Sequence, residues 1–96
     1  MFVNIVQFPK IKESKDAEFR QWFADSNAAY AKHPGFIRRI LLAPRDGGNY
    51  MAVVEHETHD TFMAMHTSST QAELRQRAQL LFEGNPRPMF FDVVTQ

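Results

Sequence analysis

Three of the segments in this chain that read as β-strands are apolar on both faces, and that restricts the possible folds more than any single motif does. In "MFVNIVQFP", side-chain alternation puts Phe2, Val6 and Phe8 on one face and Val3 and Ile5 on the other. In "NYMAVVEHE", Ala52 and Val54 oppose Met51 and Val53, and in "RPMFFDVV", Phe90 and Val94 oppose Met89, Phe91 and Val93. An antiparallel sheet with one wet face alternates apolar and polar residues. These segments do not, so both faces of the sheet need a cover.

Helical patterns separate the strands. Ser14 is placed to cap a first helix, with Asp16 and Glu18 in its first turn. Phe19, Trp22, Phe23, Ser26 and Tyr30 follow at helical spacing, and "HPG" ends the helix. "FIRRILLAP" and "NYMAVVEHE" form a hairpin across "RDGG". Thr58 caps a short helix carrying Phe62 and Met65. A further helix starts at Ser68 with Gln71, or at Thr70 with Glu73, and is expected to run to Gly84. The order is β-α-β-β-α-β, an α+β fold with a ferredoxin-like antiparallel sheet. In that topology helices cover one face only. A second copy of the sheet is the natural cover for the other, which predicts a homodimer with sheets packed face to face, a dimeric α+β barrel.

Length and charge narrow the function. The 96 residues suit a single domain, 1–96. Lys+Arg 11 balances Asp+Glu 11, which argues against a nucleic-acid surface. Without cysteine there is no disulfide framework and no thiolate metal site. No apolar run reaches the length of a membrane span and no signal-peptide pattern is visible, so the expected location is cytoplasmic, away from membranes.

Two features carry chemistry. Asn4 stands in an otherwise apolar strand, which is unfavourable unless its amide is used, by a neighbouring backbone, a partner subunit or a ligand. "EHETHDTFMAMHTSS" gathers His56, His59 and His66 among Glu55, Glu57 and Asp60. Its spacing lacks two histidines at i, i+4, so no metal is expected. Its simplest reading is a charged strand-to-helix corner, with a substrate-binding or catalytic histidine as the functional one.

The Asn in "FVNIVQFP", the "HPGFIRRILLAP" turn and strand, and "YMAVVEHETHDTFMAMHTS" together resemble the antibiotic biosynthesis monooxygenase family of dimeric α+β barrels, across nearly the whole chain. That family includes quinol-forming and heme-degrading monooxygenases. The resemblance implies a cofactor-independent monooxygenase that oxidises a small aromatic or quinol-like molecule with O2. Asn4 and His66 would be catalytic, and Trp22, Phe23, Phe62, Met65 and His56 would bind the substrate. The alternative is a non-catalytic member of the fold that holds heme or a small apolar ligand. In heme-degrading members Asn4 and Phe23 have counterparts, a Trp stands at the Met65 position, and the axial His would fall on Leu74 or Arg75. That His is absent, and His66 points about 100° from its neighbour Met65 on a helix. The expected cofactor is therefore none.

Overall fold

The computed structural model describes residues 1–96. β-Branched and aromatic residues recur in each of the extended segments, β1 (Phe2–Gln7), β2 (Phe36–Leu42), β3 (Met51–His56) and β4 (Arg87–Asp92). Between them stand α1 (Asp16–Tyr30), α2 (His59–His66) and α3 (Ser69–Ala78). The strands form one antiparallel sheet in the order β2-β3-β1-β4. This is the ferredoxin-like α+β arrangement expected, with the second helical region divided in two.

Register decides which residues share a face. Asn4 pairs with Val54 on one side and Phe90 on the other, and Val54 pairs with Arg39. Arg39, Val54, Asn4 and Phe90 therefore form one row across all four strands. The next row, Ile40–Val53–Ile5–Met89, points the opposite way and is wholly apolar. Phe2, Asn4, Ala52, Val54 and His56 are buried beneath the helices. The Ile5 face has no helix over it: its neighbours Val3, Ile5, Met51 and Val53 are only half-buried, and Met89 and Phe91 are 40% and 45% exposed.

The helices follow their apolar stripes. All five stripe residues of α1 are buried: Phe19, Trp22, Phe23, Ser26 and Tyr30. Thr58 caps α2 through a reciprocal pair with Thr61, and Ser68 caps α3 by accepting from the Gln71 N–H. Two sequence expectations need correction. Ser14 does not cap α1; it adopts a left-handed φ of 66°, and Lys15 takes the N-cap position without a side-chain cap. Nor does α3 continue to Gly84. It ends at Ala78, because Leu81 and Phe82 turn into the core and the chain there bonds to the segment before α1, through Lys12 N to Leu81 O and Glu83 N to Lys10 O. Helical continuation would have kept those groups apart. Gly84, with φ 94°, redirects the chain toward β4. No helix is long and apolar enough to cross a membrane.

The junction of α1 and β2 meets the start of α2 at Gly35. Its φ is 83°, and its carbonyl accepts from Glu57 N–H at 2.8 Å. A Cβ there would sit 2.4 Å from Thr61 Oγ1, inside the capping pair. Gly47 has a similar φ of 84° with open space around it. Gly47→Ala should therefore carry only the backbone strain, about 1 kcal/mol. Gly35→Ala should cost about 2–4 kcal/mol, strain plus the displaced Thr61. Thermal unfolding should show a Tm loss of roughly 4–8 °C per kcal/mol. Equal losses for the two variants would remove Thr61 from the explanation.

Candidate active site

The core is split. One group of buried side chains gathers Phe8, Phe19, Trp22, Phe23, Ala52, Ala78, Leu81 and Phe82; another gathers Phe2, Tyr30, Val54, Phe62, Met65 and Leu74. Phe2 on β1 belongs to one group and Phe8, just past the strand's end, to the other, and Asn4 lies between them in sequence. A cavity of about 260 Å³ opens there, between the sheet and the helices. It approaches the size usual for small-molecule sites.

Asn4 is 4% exposed, and its Oδ1 has no hydrogen-bond partner. Buried side-chain acceptors are nearly always paired, so an orphan on a residue that lines a cavity marks Asn4 as a candidate ligand-binding group. Around it the walls are fixed. Trp22 Nε1 donates to Leu74 O at 2.9 Å, tying α1 to α3. The Tyr30 hydroxyl donates to Gln71 Oε1. His66 stacks on Phe62 at 5.2 Å between centroids and 18° between planes. Burial pushes the His66 imidazole below its usual range, and Arg75 pushes it the same way. His66 is thus neutral at pH 7, with a lone pair available to accept a proton.

Arg39 enters from β2. Its guanidinium lies 4.0 Å over the Phe23 ring and bonds through Nη1 to Ser26 Oγ and, at 3.0 Å, to Asn27 Oδ1. Burial lowers its pKa to about 10, which leaves it cationic at neutral pH.

Asn4, Trp22, Phe62, Met65 and His66 all line the cavity. Phe23 and His56 do not. Phe23 lies beneath Arg39, and His56 is fully enclosed. His56 Nδ1 bonds Thr61 Oγ1 at 2.9 Å, Nε2 sits 3.3 Å from Met65 Sδ, and Phe36 and Phe62 meet its ring edge-on. It positions Met65 from behind. His59 is on the surface against Phe2, so the three histidines of the corner do not converge, and no group of three or more His, Asp or Glu could hold a metal. Arg39, Tyr30, Gln71, Arg75, Gln79 and Asn85 also line the cavity and were not among the site residues expected from the sequence. Arg39 left one readable signal: a cation inside the apolar run "FIRRILL".

Heme held as in the heme-degrading family members does not fit these residues. Leu74 is buried and aliphatic, with its carbonyl occupied by Trp22, and Arg75 presents a guanidinium where an imidazole ligand is needed.

No family model matches the chain. Over 47 residues it is 43% identical to the deoxynogalonate monooxygenase of Streptomyces nogalater, a match spanning 48% of this chain and 40% of that protein. The structure is similar to SnoaB, a cofactor-independent oxygenase from the same organism, with a TM-score of 0.78, 25% identity, and coverage of 99% of this chain and 92% of that one. A Nitrosomonas europaea protein assigned to the antibiotic biosynthesis monooxygenases shares the fold at a TM-score of 0.84 and 16% identity, over 99% of this chain and 100% of that one.

Both His56 and His66 are held below the ordinary 6.5 of an unfolded histidine, chiefly by burial. Just below that pH the unfolded chain binds more protons than the folded one. Stability present above about pH 6.5 is therefore lost as the pH falls toward the folded values. Tm followed from about pH 7.5 to 5 should drop, and His66→Gln should flatten part of the decline. An unchanged decline in both His56→Gln and His66→Gln would assign the acid sensitivity to other groups.

Proposed function

We propose that this chain belongs with the antibiotic biosynthesis monooxygenases and is a cofactor-independent monooxygenase acting on a small electron-rich aromatic. Residues 1–96 would form one catalytic unit. The observation that carries this reading is the orphaned Asn4 Oδ1 at a cavity walled by Trp22, Phe62 and Met65, with neutral His66 on the same wall. The relatives named above, an oxygenase described as cofactor-independent and a monooxygenase, support it.

The chemistry needs little from the protein, because the substrate supplies the electrons. A phenol with a hydrogen on the carbon to be oxidised becomes a quinone. One atom of O2 enters as the new carbonyl; the other leaves as water with the hydroxyl hydrogen and the ring hydrogen. His66 accepts the phenolic proton, which raises the electron density that O2 draws on. Asn4 fixes the ring by hydrogen bonds to its oxygen substituents, through a carboxamide that both donates and accepts. The aromatic and thioether walls exclude water from the reacting carbon.

The proposal includes a homodimer. The row Ile40–Val53–Ile5–Met89 and the half-exposed Phe91 form an apolar face that no helix covers, with the Arg38–Glu55 ion pair beside it. A second copy of the same sheet would cover it with an equally apolar face, in an isologous contact.

Two measurements check these readings. Oxygen uptake with naphthols that carry a ring hydrogen at the carbon to be oxidised should exceed the spontaneous rate, with one O2 consumed per quinone formed and no hydrogen peroxide released. Asn4→Ala should lower that rate about 10–100-fold, the range of one lost hydrogen bond to a charged group. Tm should scarcely change, because no protein group loses a partner. Binding without any enhanced uptake would establish a ligand-holding protein instead. For the dimer, light scattering should give twice 11.1 kDa, and Ile5→Lys or Val53→Lys should give 11.1 kDa. A wild-type monomer would leave the apolar face unexplained.

A further inference from the structure

The charges around the cavity are all of one sign. Arg39 and Arg75 line it, and no aspartate or glutamate does. Three of the seven arginines pair with carboxylates, Arg20 with Asp16, Arg38 with Glu55 and Arg77 with Asp25. Arg39 has none. Its protein hydrogen bonds both leave from Nη1 and both end on neutral oxygens, Ser26 Oγ and Asn27 Oδ1. The Nε–Nη2 edge has no hydrogen bond to protein. That edge is one of the two forks with which arginine binds a carboxylate in parallel.

The guanidinium is also held in place. Phe23, Tyr30 and Trp22 lie 4.0, 5.1 and 5.5 Å from it, and Ser26 and Asn27 anchor one end. A buried cation without an anion is unfavourable unless something else offsets it, and a preordered one loses little freedom on meeting an anion. Arg39 and Asn4 rise from the same cross-sheet row, with Val54 between them. Their strands are two spacings apart, roughly 10 Å. An aromatic ring held by Asn4 would thus carry a substituent toward Arg39.

We infer that the cavity takes an aromatic ligand bearing a carboxylate, and that Arg39 is the residue that selects for that anion. This rests on the reading of the cavity as the substrate site. It goes further by giving the substrate a charge and by dividing the work: Asn4 and His66 serve the oxidised ring, and Arg39 serves the group that distinguishes one aromatic from another. Arg75, beside His66, raises the local positive potential.

Calorimetric titration with redox-inert probes separates these claims. Naphthalene-2-carboxylate should bind wild-type protein at least 10-fold more tightly than naphthalene-2-carboxamide, and rising salt should narrow the gap. Arg39→Gln should erase the preference while leaving carboxamide affinity near wild type. Arg39→Lys should keep part of the preference, since it retains the charge and loses the fork. Arg75→Gln should keep most of it. Equal binding of the two probes by wild type would overturn the carboxylate inference and leave the substrate cavity standing. Binding of neither probe would overturn both. Loss of the preference in Arg75→Gln but not in Arg39→Gln would overturn the role of Arg39. If Arg39→Gln fails to fold by circular dichroism, the wild-type pair and Arg39→Lys decide.

Discussion

One amide in the middle of an apolar strand organises this molecule. Asn4 is buried between Phe2 and Phe8 on the face that the helices cover. Its Oδ1 is enclosed without a partner, and the carboxamide stands where the two halves of the core would otherwise meet. The core condenses around Phe19 and Trp22 at one end of the sheet and Phe62 and Met65 at the other, and space remains between. Residues of α1, α2 and α3 wall that space over the Asn4 row.

The polar groups of the site come from elements whose own packing fixes them. His66 ends α2 and is held flat against Phe62. Met65 beside it is braced from behind by His56, which is in turn bonded to Thr61, and Thr61 closes the cap of α2. The chain from Gly35 through Thr61 and His56 to Met65 connects the tight turn before β2 with the cavity wall. Gly35, Thr61 and His56 do not line the cavity themselves; their effect is to keep the cavity side of α2 in one orientation.

The fold was legible because its signals were local and redundant: strand alternation, an aromatic helical stripe, glycine turns and hydroxyl caps. The end of α3 was not. Gly84 looks like a helix terminator, but Leu81 and Phe82 gain more from entering the core and pairing with the Lys10–Lys12 segment, a contact that spans the chain. The site was half legible. Asn4 stood out because a polar residue interrupted an apolar strand, Trp22 because it lay in the aromatic stripe of α1, Phe62 and Met65 by helical spacing and resemblance, and His66 as part of the histidine-rich corner. Arg39 was missed because "FIRRILL" presents two adjacent arginines, and only the register shows that they have opposite fates. Arg38 points to the uncovered face and pairs with Glu55; Arg39 points inward with no acid to meet it. His56, next to three acidic or histidine neighbours in sequence, drew attention as a ligand-binding group, yet alternation turns it alone into the interior.

Leaving space in a small core is expensive, and the other face of the sheet bears on how that is tolerated. The cavity, about 260 Å³ and partly open to solvent, forgoes the side-chain contacts that a filled core would make. The helix side of the sheet cannot recover the loss without filling the cavity. The apolar row centred on Val53 and Ile5 can, if a second sheet covers it, since each fully buried aliphatic side chain contributes about 1.5–3 kcal/mol. The two faces then have separate duties. Residues of the Asn4 row are free to be polar, cationic and loosely packed, because the Ile5 row, one residue away on every strand, supplies burial that the chemistry never touches.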